Sequence, residues 1–278
     1  QALTRLRPSG IIFFRRNYES VEQLRELTAA LHALPSDPLL CIDHEGGAVM
    51  RLPEPFTQFP PARSVALAGN PGLAYAVGEA MGVELASVGI DLNFAPVLDV
   101  DWNPRNPVIG ERAFGETAEA VTAFGLPLMR GLHAGGVIAC GKHFPGHGDT
   151  DRDSHLELPI VRRARAELDL VELPPFRAAI DADIAMLMTA HVLYTALDER
   201  HPATFSRRIL NDLLRVELGY GGVIVTDDLG MGAVSAFASI PEAAVRSLQA
   251  GADWILVGND IEASLQAAEA VAAALSSG

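Results

Sequence analysis

The sequence has few cysteines, no basic run and no long apolar run, and each shortage argues against a class of protein. Cys41 and Cys140, the two cysteines, lie in apolar runs without C-x-x-C spacing, which favours buried thiols and a reducing compartment. Lys and Arg number 21 against 35 Asp and Glu, for a net charge of −14, and they form no cluster. We therefore expect no nucleic-acid partner. No apolar run approaches the roughly 18 residues of a membrane span, so we also expect no membrane partner.

The size and composition suit one large domain. The 278 residues are 49% hydrophobic and 20% charged, which supplies a core and argues against a disordered chain. A length of this order is normal for an α/β barrel. No signal peptide is visible. Because the chain opens at Gln1 without a Met, we expect a leader or a first element to be missing.

Seven short apolar runs recur along the chain without alternation of polar and apolar residues. Strands buried on both faces have this pattern, which predicts a parallel sheet. The runs are GIIFF (10–14), LLCID (39–43), DLNFAPVLD (91–99), GVIACGKH (136–143), IAMLMTAH (184–191), GGVIVTDD (221–228) and ADWILVG (252–258).

Helical segments with start signals lie between these runs. Ser20 with Gln23 and Ser239 with Glu242 each predict a capping box. Alternation of β and α segments is compatible with a doubly wound open sheet or a (β/α)8 barrel. Seven visible strands, together with the expectation that a first element is missing, favour a single (β/α)8 TIM-like barrel over residues 1–278 that lacks an N-terminal element.

Polar residues concentrate where the apolar runs end. In an α/β barrel these ends open on one face, where active sites are built. One convergent site therefore explains all of them, whereas loop polarity alone would explain one aspartate. The residues are Asp43, Asp99, Asp101, Lys142, His143, His191, Asp227 and Asp228.

The stretch GKHFPGHGDTDRDSH, residues 141–155, holds three of the eight histidines. A metal site could recruit its histidines and aspartates, but the early strands carry no His-x-His pair and no helix carries histidines four apart, so we predict no metal and no cofactor. Residues 136–142 also match the start of a phosphate-binding loop. His143 follows where Ser or Thr is required, and VIAC inside the match is typical of a strand, so we reject that interpretation.

An acid/base function fits this stretch better. Asp153 and His155 are two residues apart, so in extended backbone their side chains lie on the same side. An aspartate beside a histidine accepts its N–H and fixes its tautomer, which makes a proton donor and acceptor for neutral pH. Asp227 at the end of a later run is a candidate nucleophile.

The motifs KHFPGHGDTDRDSH, VTDDLGM and IDHEGGAVMRL together resemble glycoside hydrolase family 3, in particular its bacterial β-N-acetylglucosaminidases. FAPVLDVD, IGERAFG and MTAHV resemble flanking segments of the same proteins. The resemblance implies a retaining exo-glycosidase with Asp227 as nucleophile and His155, paired with Asp153, as acid/base. It also implies sugar-hydroxyl ligands, which are Asp43, Arg51, Arg112, Lys142 and His143. His44 stands where Gln is common in the family.

We therefore expect a cytoplasmic, monomeric β-N-acetylhexosaminidase that acts on a small carbohydrate substrate, with peptidoglycan (muropeptide) fragments as the source. A β-glucosidase or a β-N-acetylglucosaminide phosphorylase of the same family remains open. Two alternatives from other classes are a zinc-dependent barrel hydrolase and a non-catalytic sugar-binding barrel.

Overall fold

The fold is built on a seven-stranded parallel sheet. The computed structural model describes residues 2–258 and 260–277. The strands of the sheet are β1 (Gly10–Phe13), β2 (Leu39–Ile42), β3 (Leu92–Asn93), β4 (Ile138–Phe144), β6 (Met186–Thr189), β8 (Val223–Asp228) and β9 (Trp254–Leu256). They lie in the order β1-β2-β3-β4-β6-β8-β9, and every neighbouring pair is parallel. Each predicted apolar run coincides with one strand, and only β4 extends past its run, by one residue, to Phe144.

Helices connect successive strands. The α-helices are α1 (Ala2–Leu6), α2 (Val21–His32), α3 (Ala62–Leu67), α4 (Pro71–Ala86), α5 (Ala118–Ala134), α6 (Arg165–Leu170), α7 (Leu173–Asp181), α8 (Gly232–Ser235), α9 (Ile240–Ala250) and α10 (Ile261–Ser277). A π-helix spans Arg208–Glu217. Short 3₁₀ turns occupy Arg15–Asn17, Gly110–Arg112 and Ala203–Phe205.

The two predicted capping boxes have different outcomes. Ser20 accepts a hydrogen bond from the Gln23 backbone N–H at 3.1 Å, but the Gln23 side chain accepts from the Glu19 N–H instead of completing the box. Ser239 is the extended residue before α9 and makes no side-chain cap bond, so that prediction is wrong. An N-cap side chain accepts from the backbone N–H of the second or third helical residue. Pro241, the second residue of α9, has no N–H, so one of these two donors is missing.

The sheet is curled. Side chains from β2, β4, β6 and β8 contact one another in a single cluster on one face, with Cys41, Cys140, Met186 and Val225 among its members. Side chains from both edge strands, Ile12 of β1 and Trp254 of β9, pack against this same cluster, so the sheet bends around that face. The larger core on the other face packs the sheet against the helices.

The predicted parallel α/β fold is confirmed, but a complete (β/α)8 barrel is not. Within the described residues no ladder joins β9 to β1. The edge strands β1 and β9 meet where the Trp254 side chain of β9 packs against Gly10 of β1. The contact is so close that a Cβ on Gly10 would lie 2.0 Å from Trp254 Cζ2. The indole therefore occupies the seam where neighbouring strands would otherwise pair.

A second, two-stranded parallel sheet was not predicted. It pairs β5 (Ile160–Val161) with β7 (Leu193–Tyr194) beside the carboxyl ends of the main strands. Two-residue strands carry too little pattern to be visible in a sequence. In the described part of the chain, no helix combines the length and the apolar character that crossing a membrane requires.

Candidate active site

The polar residues at the strand ends meet at one edge of the sheet. Hydrogen bonds and ion pairs join residues from different strands: Lys142 Nζ lies 2.7 Å from Asp43 Oδ1, and His143 Nδ1 lies 2.7 Å from Asp99 Oδ2. The parallel register puts all carboxyl ends at the same edge, and the connecting loops turn their side chains toward one another. The structure thus forms one convergent cluster.

A buried ionic cluster occupies one side of this edge. Arg112 donates to both carboxylate oxygens of Glu45, at 2.9 Å from Nε and 2.8 Å from Nη2. Lys142, the chain's single lysine, contacts Asp43 and approaches Glu45 Oε1 to 2.5 Å. Arg51 Nη2 lies farther away, 3.9 Å from Asp43 Oδ2. Four predicted sugar ligands are therefore neighbours: Glu45 joins Arg112 to Lys142, Lys142 contacts Asp43, and Asp43 lies beside Arg51.

The charges in this cluster stabilise one another. Burial works against ionisation of Glu45, yet Arg112 and Lys142 hold the pKa of its carboxyl well below the usual range. Burial likewise works against the Lys142 ammonium, but Asp43 and Glu45 raise its pKa above that of an ordinary lysine. Both groups stay charged near neutral pH, and the second oxygen of Asp43 lies on the side of Arg51.

Asp99 organises the centre of the site. Its carboxylate is fully buried and accepts from the His143 side chain at 2.7 Å, the His143 N–H at 3.0 Å and the His147 N–H at 2.7 Å. The bond to Nδ1 leaves His143 Nε2 as the ring nitrogen available to a ligand. Burial, reinforced by His143, lowers the pKa of His147 to about 4, so His147 is neutral.

The two aspartates at the end of β8 have different environments. Asp228 Oδ1 accepts from the Gly230 and Gly258 N–H groups at 2.9 and 3.0 Å, which commits that carboxylate to shaping the loop. Asp227 accepts from the Asp228 N–H at 2.8 Å. Burial would raise the pKa of Asp227, but His143 and His191 lower it overall. Asp227 is therefore the ionised carboxylate associated with the histidines, a distinction that spacing alone left open.

His191 holds the backbone at Asp228, the residue after Asp227, in place. Its Nε2 lies 3.1 Å from the Asp228 carbonyl oxygen, which can only accept, so Nε2 carries the proton. Burial lowers the pKa of His191, so the ring is neutral and Nδ1 accepts from the Thr204 hydroxyl at 2.7 Å. Thr204 Oγ1 in turn lies 2.8 Å from Thr189 Oγ1. This buried chain orients the backbone that follows Asp227.

The loop after β4 brings Asp153 and His155 together, but through a turn and not through the extended backbone that we predicted, since the Leu156 N–H donates to the Asp153 carbonyl oxygen at 3.0 Å. Asp153 Oδ1 accepts from His155 Nδ1 at 2.7 Å and from the His155 backbone N–H at 2.8 Å. Burial would raise the pKa of Asp153, but these two bonds lower it, so the carboxylate stays ionised. The His155 side chain is 62% exposed, with Nε2 free of the aspartate. Such a pair can exchange a proton with a ligand oxygen.

Two residues in the site were not assigned from the sequence. Glu45 lies two residues after Asp43, a spacing that could have indicated its inward position. Glu172, the residue before α7, is buried against Gly146 and accepts from Trp102 Nε1 at 2.9 Å. The Trp102 ring is covered by the Arg163 guanidinium, 3.9 Å from its centroid. No local pattern indicated Glu172, because its partner is 70 residues away.

The described residues contain no group of three or more His, Cys, Asp or Glu side chains arranged to hold a metal ion. In the stretch from residue 141 to 155, the histidines are directed to other partners. His143 binds Asp99, His147 contacts Ser154 and Thr150, and His155 binds Asp153. The residues of the zinc alternative therefore do not form a ligand set.

A curled parallel α/β sheet with carboxylates, imidazoles and a buried lysine at the carboxyl ends of its strands has the arrangement that is typical of the active site of an α/β enzyme. The glycosyl hydrolase family 3 N-terminal domain matches residues 1–278. The chain belongs to this family, and the predictions of the family and of a glycoside hydrolase are confirmed.

Similar proteins agree with this assignment. A protein of Nitrosomonas eutropha named beta-hexosaminidase is 44% identical over 258 residues, which is 90% of this chain and 74% of that protein. A glycoside hydrolase family 3 β-N-acetylglucosaminidase from Paenibacillus sp. str. FPU-7 has a TM-score of 0.97 at 47% identity over 99% of this chain. This chain spans 53% of that protein's length. NagZ from Neisseria gonorrhoeae, solved with N-trifluoroacetyl-D-glucosamine, has a TM-score of 0.87 at 41% identity, over 94% of this chain and 77% of that one.

Proposed function

We propose that the chain, as a single domain over residues 1–278, is a retaining exo-β-N-acetylglucosaminidase. Relatives named beta-hexosaminidase and β-N-acetylglucosaminidase, at 44% and 47% identity, support the N-acetyl sugar over glucose. The site supports a glycosidase because it combines an ionised carboxylate, a separate proton donor and charged ligands for hydroxyl groups.

One observation carries the proposal. His143 and His191 lower the pKa of the Asp227 carboxyl, and the loop that bears Asp153 and His155 accepts hydrogen bonds from Gly232 and Ala233, five and six residues after Asp227. The Gly232 N–H donates to the His155 carbonyl oxygen at 3.0 Å. A nucleophile and an acid/base pair are therefore held by one another's loops.

The proposed reaction has two steps. In the first, an Asp227 oxygen attacks the anomeric carbon, while His155 Nε2 donates its proton to the departing glycosidic oxygen. The bond to the aglycone breaks as the glycosyl–Asp227 ester forms. In the second, a water molecule gives a proton to His155 Nε2 and its oxygen replaces Asp227 at the anomeric carbon, which releases the sugar with retained configuration.

Asp153 would support both steps. Its carboxylate accepts from His155 Nδ1, so it fixes the tautomer that presents Nε2 to the ligand and stabilises the imidazolium while the proton is held. Asp43, Arg51, Arg112, Lys142 and His143 would bind the sugar hydroxyl groups by charge-assisted hydrogen bonds. Glu45 would keep Arg112 and Lys142 in place, since it contacts both.

The natural substrate, the location and the assembly are proposals from the family resemblance. We propose muropeptide fragments of peptidoglycan as substrate, a cytoplasmic location and a monomer. Release of N-acetylglucosamine from purified muropeptides would test the first, cell fractionation the second, and the mass measured by light scattering during size-exclusion chromatography the third.

The first test compares Asp227→Asn with Asp228→Asn on an aryl β-N-acetylglucosaminide. Asp227→Asn should lower kcat/KM by about three orders of magnitude or more, because an amide is a poor nucleophile. Asp228→Asn keeps an Oδ1 that accepts from Gly230 and Gly258, so most activity should remain. Equal losses in both variants would contradict the assignment of the nucleophile.

The wild-type assay separates the alternatives. ¹H NMR of the first product should show the β-anomer, as retention requires. Faster turnover of the aryl β-glucoside would indicate a β-glucosidase, and a rate that rises with phosphate would indicate a phosphorylase. Activity lost to a chelator and restored by zinc would support the metal-dependent alternative. Binding without turnover would support a sugar-binding domain.

A further inference from the structure

The acid/base loop, which we define as the segment from Asp153 to Leu156, contacts the first turn of α8. The Gly232 N–H donates to the His155 carbonyl oxygen at 3.0 Å, and the Ala233 N–H donates to the Ser154 carbonyl oxygen at 3.1 Å. The first N–H groups of a helix have no partner within the helix. Here the loop supplies acceptors for two of them, so the backbone of the acid/base loop is positioned by α8.

Gly232 permits this contact. A Cβ at this position would lie 2.7 Å from the His155 carbonyl oxygen and 2.6 Å from the Leu156 carbonyl oxygen. Both are backbone atoms, so no side chain can rotate away to make room. Any larger residue therefore has to move the loop or the start of α8.

The loop has little freedom to absorb such a shift on its inner side. Ser154 is buried, and its Oγ lies 2.9 Å from His147 Nε2. The His147 N–H donates to Asp99, which ties Ser154 to the buried centre of the site. The His155 and Leu156 side chains are instead largely exposed. A push at position 232 would therefore displace the Asp153–His155 pair outward.

Gly232 is also close in sequence to the nucleophile. It follows Asp227 by five residues, and the Asp228 carbonyl oxygen between them accepts from the Met231 N–H at 3.1 Å and from His191. One short, hydrogen-bonded segment thus carries Asp227 at one end and supports His155 at the other.

We propose that Gly232 is a positioning residue for proton transfer: its lack of a side chain sets the separation between His155 and Asp227. The inference rests on the proposed function. It predicts a specific kinetic defect, because a misplaced acid slows departure of a poor leaving group, whereas a good leaving group departs without protonation.

The test measures kcat/KM of Gly232→Ala on phenyl and 2,4-dinitrophenyl β-N-acetylglucosaminides. The phenyl substrate should lose at least about tenfold more activity than the dinitrophenyl substrate. His155→Ala provides the reference for complete loss of the acid. Gly221→Ala is the matched control, since a Cβ there meets nothing within 4 Å and both substrates should react as with wild type.

Ala233→Pro provides a second variant if Gly232→Ala does not fold. It removes the N–H that bonds Ser154 and places a ring at that point, while proline is already present at the second position of α7 and α9. The same selective loss is expected. Equal losses on both substrates, or wild-type rates in whichever variant folds, would overturn the inference.

The outcomes also separate this inference from the proposed function. No wild-type turnover of either substrate, or no selective loss in His155→Ala, would refute the proposed function itself. A selective loss in His155→Ala without one in the position-232 and position-233 variants would refute only the role of Gly232.

Discussion

Glu172→Gln should remove a large pH-dependent loss of stability. Glu172 is 1% exposed, and Trp102 donates to its Oε1. Its Oε2 is buried without a hydrogen-bond partner in the described part of the chain. Burial raises the pKa of this carboxyl to about 7; Asp149 adds to the effect, whereas Trp102 and Arg163 oppose it. The neutral acid is therefore the form that the fold prefers.

The direction and size follow from the two pKa values. In the unfolded chain the pKa is near 4.5, and in the folded protein it is about 7. Below the unfolded pKa the carboxyl is neutral in both states and its contribution is fully present. As pH rises through the folded pKa, the unfolded chain ionises more readily and stability is lost. This gap corresponds to about 3 kcal/mol, most of it lost between about pH 5 and about pH 8.5.

Urea unfolding at a series of pH values measures this effect. Gln keeps the size of the side chain and an oxygen for Trp102, and it does not ionise. The free energy of unfolding of wild type minus that of the variant should fall by about 2–3 kcal/mol from about pH 5 to about pH 8.5. The contributions of all other titrating groups to the free energy of unfolding are the same in both proteins, so they cancel in this difference. Glu199→Gln, at an exposed site, controls for the substitution, and a Glu172 difference that is constant with pH would refute the reasoning.

Two further substitutions test the buried centre of the site. Glu45→Gln should destabilise the fold by about 3 kcal/mol and raise KM, because Arg112 loses its carboxylate partner. Denaturant unfolding measures the change in stability, and steady-state kinetics measures the change in KM. Glu111→Gln, at an exposed site, is the control and should change neither the stability nor KM. Asp99→Asn places an NH₂ group against His143 Nδ1, so that Nδ1 becomes the acceptor and the ring proton moves to Nε2. We expect kcat/KM to fall about 10–100-fold, with little change in the unfolding midpoint. Unchanged kinetics in either variant would contradict the assigned contacts.

The sequence by itself determined the parts of the molecule that depend on neighbours along the chain. The main strands followed from continuous apolar runs, because burial on both faces leaves no polar position. The pairing of Asp153 with His155 followed from their spacing of two and its hydrogen bond is local, although a turn and not extended backbone forms the contact. The Ser20 cap also depends only on adjacent backbone. At Ser239 the same reasoning failed, and the bond is absent where Pro241 removes one possible donor.

Only the tertiary structure decided the features that join distant segments. Asp228 is set apart from Asp227 by the N–H of Gly258, 30 residues away, and Glu45 is held by Arg112, 67 residues away. The raised pKa of Glu172 and the contact of Gly232 with the acid/base loop likewise arise from packing. Hydrogen bonds, charge interactions and steric contacts act over a few ångströms, so their partners are chosen by how the sheet curls and where its loops meet.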